Sequence, residues 1–264
     1  MEVKKSFPPT TIKLFYNLLI FNQWETERSF EPQKYMTHGK KYRAVAEKLD
    51  REKSYSLEEA LQLVRDNKIA KFDESVEVHI KTGIDPKKTD QQIRSAVSLP
   101  HGTGKNKRVA VITSTSLEDA KKAGAEIVGG EELIERIKSG KIFSEDGGFD
   151  VLVATPEMMP KLAVVAKILG PKGLMPNPKT ETVTTKIKET VDALKKGRAA
   201  YKTDNSGNIH QVVGKLSFTD EKLLENIKAF LESVEKVKPA SLKGKLVRTI
   251  SLCSTMGVGF KITV

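Results

Sequence analysis

The residues with the most to offer chemically close the chain, where Ser254-Thr255-Met256-Gly257-Val258-Gly259 brings two hydroxyls, one soft apolar side chain and a glycine pair into six positions. Hydroxyls hydrogen-bond ribose 2′-OH groups and phosphates, a methionine packs on a base or sugar face, and glycine lets a backbone approach a ligand closely. The combination suits RNA; an ordinary glycine-containing turn after an edge strand is the plainer account of the same residues. A second stretch, His101-Gly102-Thr103-Gly104-Lys105-Asn106, has the look of a phosphate loop. A Walker loop aligned on Gly104-Lys105 needs glycine where Leu99 stands and a hydroxyl where Asn106 stands; a dinucleotide fingerprint from Gly102 needs glycine in place of Lys107. The stretch also precedes the apolar run at Val109, whereas phosphate loops follow a strand and open a helix. A flexible basic connection between domains fits it better.

Catalysis finds no candidate. The acid pairs Asp73-Glu74 and Glu131-Glu132 point apart, whether on a strand or a helix, and read as solvated surface. No Ser-His-Asp or Cys-His arrangement has local support, and no Gly-x-Ser-x-Gly elbow is present. His38, His79, His101 and His210 are scattered without metal-ligand spacing, and Cys253, the single cysteine, excludes an intrachain disulfide and a Cys-rich zinc site. Neither a metal nor a cofactor is expected, and a reducing compartment is the natural setting.

The charge points to a partner. The formal net charge is +11 and the pI about 9.5, values that suit a polyanion without distinguishing RNA from DNA or an anionic membrane. Most of the excess, +7, falls in residues 195–264, and no acid follows Glu235. The longest apolar run, Leu14 to Phe21, is broken by Asn17 and is too short to cross a bilayer, so a soluble protein without a membrane partner is expected.

The elements that must position these residues alternate between helix and strand patterns. Ser56-Leu57-Glu58-Glu59 is a capping box opening a helix with Leu57, Ala60, Leu61 and Val64 on one face. Val76, Val78 and Ile80 alternate with Glu77, His79 and Lys81, the period of a half-buried strand. Strands at 109–112 and 149–154, with helices after Ser116 and over 131–137, argue for a small parallel sheet covered by helices. Residues 170–178, rich in Gly and Pro, read as a stiff irregular loop; a helix over 183–195, a strand near 199–202, a hairpin turn at 204–208 leading into a strand over 209–216, a helix capped by Thr219 and a strand over 246–253 follow. The economical architecture is one α+β domain made from both chain ends with a β-α-β domain inserted. Residues 1–35, aromatic-rich and without a clear period, stand apart as a weakly ordered extension upstream of a basic fresh start at Met36.

Seven blocks in register carry a specific resemblance: Lys71 to Glu77, Gly83 to Pro86, Ser98 to Lys105, Gly124-Ala125 with Val128 to Gly130, Ala154 to Pro156, Leu169 to Lys179, which is the most specific, and Ser254 to Gly257 at the chain's end. In these the chain resembles the bacterial ribosomal protein L-one family, the universal mobile-stalk family of the large ribosomal subunit, over essentially all of 36–264. The resemblance implies an α/β fold of two domains: a split β-α-β RNA-binding domain from 36–102 plus 195–264, and a Rossmann-like three-layer domain, 103–194, inserted through two hinge connections. It implies a monomer when free that binds large-subunit rRNA on the ribosome in the cytoplasm, assists release of exit-site tRNA and represses its own operon mRNA. Carried over position by position, the RNA surface comprises Phe72, Ser75 and Glu77 with Thr249, Ser254, Thr255, Met256 and Gly257, while Lys71, Lys243, Lys245 and Arg248 supply phosphate contacts. Glu77, facing a polyanion, makes sense as an acceptor from 2′-OH or base amino groups. Val258 stands where family members often have proline, which loosens the loop. The rival reading is a nucleotide- or small-molecule-binding α/β enzyme built on the central β-α-β part.

Overall fold

The computed structural model describes residues 39–49, 53–114, 117–144 and 147–263. By its contacts the chain divides into residues 1–43, of which only Gly39 and the start of helix α1 (Lys40–Lys48) are described, and residues 44–264. The expectations for residues 1–35 lie outside the described residues.

A five-stranded sheet draws on both ends of the 44–264 unit. Its order is β1 (Ser54–Tyr55), β10 (Phe260–Ile262), β9 (Val247–Ser254), β2 (Ser75–Thr82), β8 (Asn208–Lys215), all neighbours antiparallel except β1 and β10. Because side chains alternate across a strand, β2 sends Val76, Val78 and Ile80 to one face, where β9 adds Ile250 and Leu252. Helices α2 (Leu57–Asp66) and α6 (Asp220–Lys236) cover that face with Leu61, Val64, Leu223, Ile227, Phe230 and Val234. Burying each such side chain stabilises by about 1.5–3 kcal/mol, which fixes the register: a slip of one residue would bring Glu77 and His79 into the core. The other face carries Glu77, His79, Lys81, His210, Thr249, Ser251 and Cys253, which among the described residues are all half-buried or exposed.

The capping box forms as its sequence requires. Ser56 Oγ accepts from Glu59 N–H at 3.2 Å, and Glu59 Oε2 accepts from Ser56 N–H at 3.1 Å. Thr219 sits at the N-cap of α6 without a side-chain capping bond; Asp220 and Glu221 place negative charge in the first turn instead, and Asp220 pairs with Arg65 at 2.8 Å.

The middle of the chain forms a three-stranded parallel sheet in the order β5 (Ile127–Gly129), β4 (Val109–Ile112), β6 (Val151–Ala154), with α3 (Leu117–Lys122) and α4 (Glu131–Lys138) between the strands. Both faces are covered. Ala110, Ile112 and Leu152 meet Leu133 and Ile137 on one side, and Val109, Val111 and Val153 meet Ala120 and, from α5 (Ile187–Lys195), Ile187, Val191 and Leu194 on the other. The chain is thus a mixed α/β structure with several sheets.

Three expectations differ from what forms. The helix expected over 183–195 begins at Ile187; before it Val183 makes a parallel bridge to Ala154, because the β-branched run Thr182-Val183-Thr184-Thr185 is stiff at χ1 and favours extended backbone. The turn at 204–208 closes through Asp204 Oδ1, which accepts from Ser206 N–H at 2.9 Å and Asn208 N–H at 2.6 Å. It does not join a hairpin: β7 (Arg198–Lys202) pairs with β3 (Arg94–Ser98) in a separate two-stranded sheet, while β8 pairs with β2, and the two meet only at a Thr203–Ile209 bridge. Tyr201 on β7 is drawn instead to α6, its ring edge-on to Phe230 and its hydroxyl 3.0 Å from Ser233 Oγ. Strands β1, β3, β5 and β10 were not expected; runs of two to five residues give too short a signal.

Candidate nucleic-acid interface

The turn after β9 is fastened to the start of β2. Thr255 N–H donates to Ser75 O at 3.1 Å, and Thr255 Oγ1 accepts from Ser75 N–H at 3.0 Å while donating back to Ser75 O at 3.3 Å. Gly257 N–H donates to Ser254 O at 3.0 Å, and a Cβ on Gly257 would lie 2.3 Å from Ser254 Oγ, so a side chain there would force the buried Ser254 hydroxyl to another rotamer. The Thr255 hydroxyl is therefore engaged with the Ser75 backbone although the residue itself is exposed, whereas Ser254 is buried. Ser254 is 2% exposed because it follows Ile250 and Leu252 on the core-facing register of β9. Its side chain lies under the turn.

Beneath the turn sits Glu74, wholly buried. This corrects its reading as solvated surface: Asp73 does face solvent, accepting from Ser217 N–H at 3.1 Å, but Glu74 turns inward at the mouth of β2. Glu74 Oε1 accepts from Ala70 N–H at 2.7 Å and Oε2 from Met256 N–H at 3.4 Å, tying the segment before β2 to the turn after β9. Burial pushes its carboxyl up, but hydrogen bonding from the Ser254 side chain and the N–H groups of Ala70, Met256 and Ile69 outweighs burial and holds it below the usual carboxylate value. The Ser254 hydroxyl has no hydrogen bond of good geometry, yet lies near enough to favour the ionised form.

The other candidate residues divide between this junction and the opposite end of β9, where Thr249 pairs with Lys81 and Val247 with Thr82. Of the large apolar side chains exposed among the described residues, Phe72 at 54% and Met256 at 55% flank the junction. Lys71 is exposed beside Phe72; Ser75 is buried and engaged through its backbone; Glu77 is half-buried and Thr249 exposed on the open sheet face. Lys243, Lys245 and Arg248 are all exposed. Lys245, Arg248 and Thr249 line a groove of about 840 Å³ over β9 and β10, which also takes in Lys238 and Lys261. These two lysines and Glu74 are the residues sequence reasoning left out of the site. The acid-free run after Glu235 pointed to both lysines, whereas nothing local distinguishes Glu74 from Asp73.

The sheet also assembles a cluster that spacing along the chain concealed. His79 Nδ1 lies 2.7 Å from His210 Nδ1, His79 Nε2 lies 2.9 Å from Cys253 Sγ and 3.9 Å from Glu77 Oε2, and His210 Nε2 lies 3.4 Å from Asp204 Oδ2. Burial lowers the His79 pKa, His210 lowers it further, and Glu77 partly offsets both; burial, aided by Glu77, pushes the Cys253 thiol up to about 11. At the other candidate, the loop 101–106, Asn226 on α6 is completely buried, accepts from His101 N–H at 3.1 Å and donates to Gly102 O at 3.0 Å and Val213 O at 2.7 Å. The near end of the loop is thus clamped rather than flexible, and Gly102 and Thr103 are buried.

The model of the family described as Ribosomal protein L1p/L10e matches residues 64–258. Among curated relatives, the large ribosomal subunit protein uL1 of Mycoplasma capricolum subsp. capricolum is 51% identical over 224 residues, which cover 85% of this chain and 97% of the relative. Those of Kosmotoga olearia and Thermosipho africanus are 48% and 49% identical, again over 85% of this chain and over 95% and 96% of their own lengths. All three relatives carry the name of a large ribosomal subunit protein. At such identity over nearly their full length, the chain belongs to the ribosomal protein L1p/L10e family.

Proposed function

We propose that the chain is a constituent of the large ribosomal subunit, held on the ribosome in the cytoplasm, that grips 23S-type rRNA at the β2–β9 junction and forms the mobile stalk. The observation carrying this reading is the exposed pair Phe72 and Met256 around a turn locked by Glu74 and by the Thr255–Ser75 hydrogen bonds. An aromatic and a thioether standing out from a rigid base offer stacking surfaces to unpaired bases, and the groove with Lys238, Lys245, Arg248 and Lys261 offers cations to phosphates. Thr255 then acts by fixing the turn and Glu77 as an acceptor for 2′-OH or amino groups. Lys71 and Lys243 extend the phosphate contacts.

The reading treats 36–102 plus 195–264 as the RNA-holding domain and 103–194 as the movable one. It is supported by their separate apolar clusters and by charge, +9 against +1. The two connections cross where a Cβ on Gly197 would fall 2.2 Å from Gly102 Cα, an approach that only glycine permits. Assisting release of exit-site tRNA, repressing its own operon mRNA and remaining a monomer when free are the further functions we assign on the family resemblance. Sedimentation tests the reading as a whole: the chain should co-sediment with large subunits in low salt and be released as salt rises. Failure to join the particle would overturn it.

A further inference from the structure

On the open face of the five-stranded sheet, strands β8, β2 and β9 lie side by side, and their register brings four distant residues together. Glu77 pairs directly with Cys253, and His79 pairs with His210 on one side and lies diagonal to Cys253 on the other. Cys253 Sγ, His79 Nε2 and a Glu77 carboxylate oxygen lie within 4.8 Å of one another. Thiolate, imidazole and carboxylate are the three donor types that borderline divalent metals accept together.

We propose that in the chain free of RNA, before Glu77 is engaged as an acceptor, Cys253, His79 and Glu77 form a binding site for a divalent transition metal of the zinc class, with His210 and Asp204 as positioning residues. A metal on His79 Nε2 leaves the ring proton on Nδ1, where it donates to His210 Nδ1 at 2.7 Å. His210 must then carry its own proton on Nε2, which faces Asp204 Oδ2 at 3.4 Å. One set of tautomers satisfies the whole relay, and the carboxylate–histidine–histidine chain is the arrangement that orients a metal-bound imidazole and raises its basicity.

The fit needs side-chain rotation among three ligands whose donor atoms now lie within 4.8 Å of one another. A tetrahedral ion with bonds of about 2.3 Å to sulfur and about 2.0 Å to nitrogen holds these atoms about 3.5 Å apart. The present Sγ to Nε2 distance is 2.9 Å and the Nε2 to Oε2 distance 3.9 Å, so one opens and the other closes through side-chain rotation. His79 and Glu77 side chains are each about one-third exposed, which gives the ion a path from solvent and leaves a fourth position for water. On binding, the Cys253 thiol proton leaves for solvent and the S–H bond is replaced by a bond to the metal. The thiolate and the carboxylate then neutralise the dication.

Titration of the full-length chain with Co²⁺, its thiol kept reduced by a phosphine, tests this, with Zn²⁺ displacing the cobalt. We expect one equivalent bound and a thiolate-to-cobalt charge-transfer band, both abolished in Cys253→Ser and His79→Gln. His210→Ala should keep the band while weakening affinity about 10–100-fold. Absence of saturable one-to-one binding, absence of the band, or undiminished affinity in a Cys253→Ser chain with wild-type circular dichroism would overturn the site; unchanged affinity in His210→Ala would overturn the relay.

Discussion

Replacing Glu74 by Gln preserves the shape of the side chain and removes its charge, so it isolates what the buried carboxylate does. Glu74 accepts from Ala70 N–H at 2.7 Å with one oxygen and from Met256 N–H at 3.4 Å with the other. A glutamine keeps one acceptor. Retaining the shorter bond turns its amide nitrogen toward Met256 N–H, donor against donor, at a wholly buried position. A hydrogen bond to a charged group contributes about 1.5–3 kcal/mol, and the Met256 bond is long, so we expect a loss of about 2 kcal/mol. The comparison is Asp73→Asn: that carboxylate is exposed, and its loss should cost under about 1 kcal/mol. Urea unfolding at neutral pH reads both as shifts in midpoint at constant slope. The pH dependence gives a second reading. Because the folded pKa of Glu74 lies below its ordinary value of 4.5, its stabilisation is present above pH 4.5 and lost as pH falls through the folded value, so the wild type and the glutamine variant should converge in acid. If Glu74→Gln costs no more than Asp73→Asn, or if the gap between wild type and variant does not narrow in acid, the carboxylate is not what fastens the junction.

Changing Lys243, Lys245 and Arg248 together to Ala should reduce the slope of log affinity for rRNA against log salt by about 0.7–0.9 for each phosphate left without its cation, measured by titrating an rRNA fragment across a potassium chloride series. Gly197→Ala should destabilise by more than about 2 kcal/mol, since a backbone φ of +112° and a Cβ placed 2.2 Å from Gly102 Cα act together. Gly173→Ala, with a φ of +72° and open space around it, should cost only about 1 kcal/mol; thermal unfolding of both variants separates close approach from φ alone.

Much of the fold is legible in the sequence because it rests on local signals. The capping box at Ser56, the alternation of Val76, Val78 and Ile80, and the continuous apolar run from Val109 to Ile112 each fix an element without help from distant residues. Pairing is another matter. Whether β7 continues into a hairpin with β8 depends on Tyr201 finding Phe230 and Ser233 on α6, a tertiary choice. Long-range placement likewise decides the site. The motif Ser254-Thr255-Met256-Gly257 marks the turn, yet only the register of β9 reveals that Ser254 turns inward while Cys253 faces outward. Glu74 and Asp73 are alike as neighbours in sequence and opposite in the structure, and Cys253 meets His79 across 174 positions.

The central claim is that RNA rests on Phe72 and Met256 at the fastened junction, and the affinity of the Phe72→Ala/Met256→Ala chain for a stalk-type rRNA fragment at fixed salt tests it most directly. Both side chains are more than half exposed, so their removal should leave urea stability within about 0.5 kcal/mol of wild type. Stacking of a base on an aromatic contributes about 1–3 kcal/mol, so affinity should fall by about 10–100-fold with the salt slope unchanged. Wild-type affinity in the double variant would contradict the account.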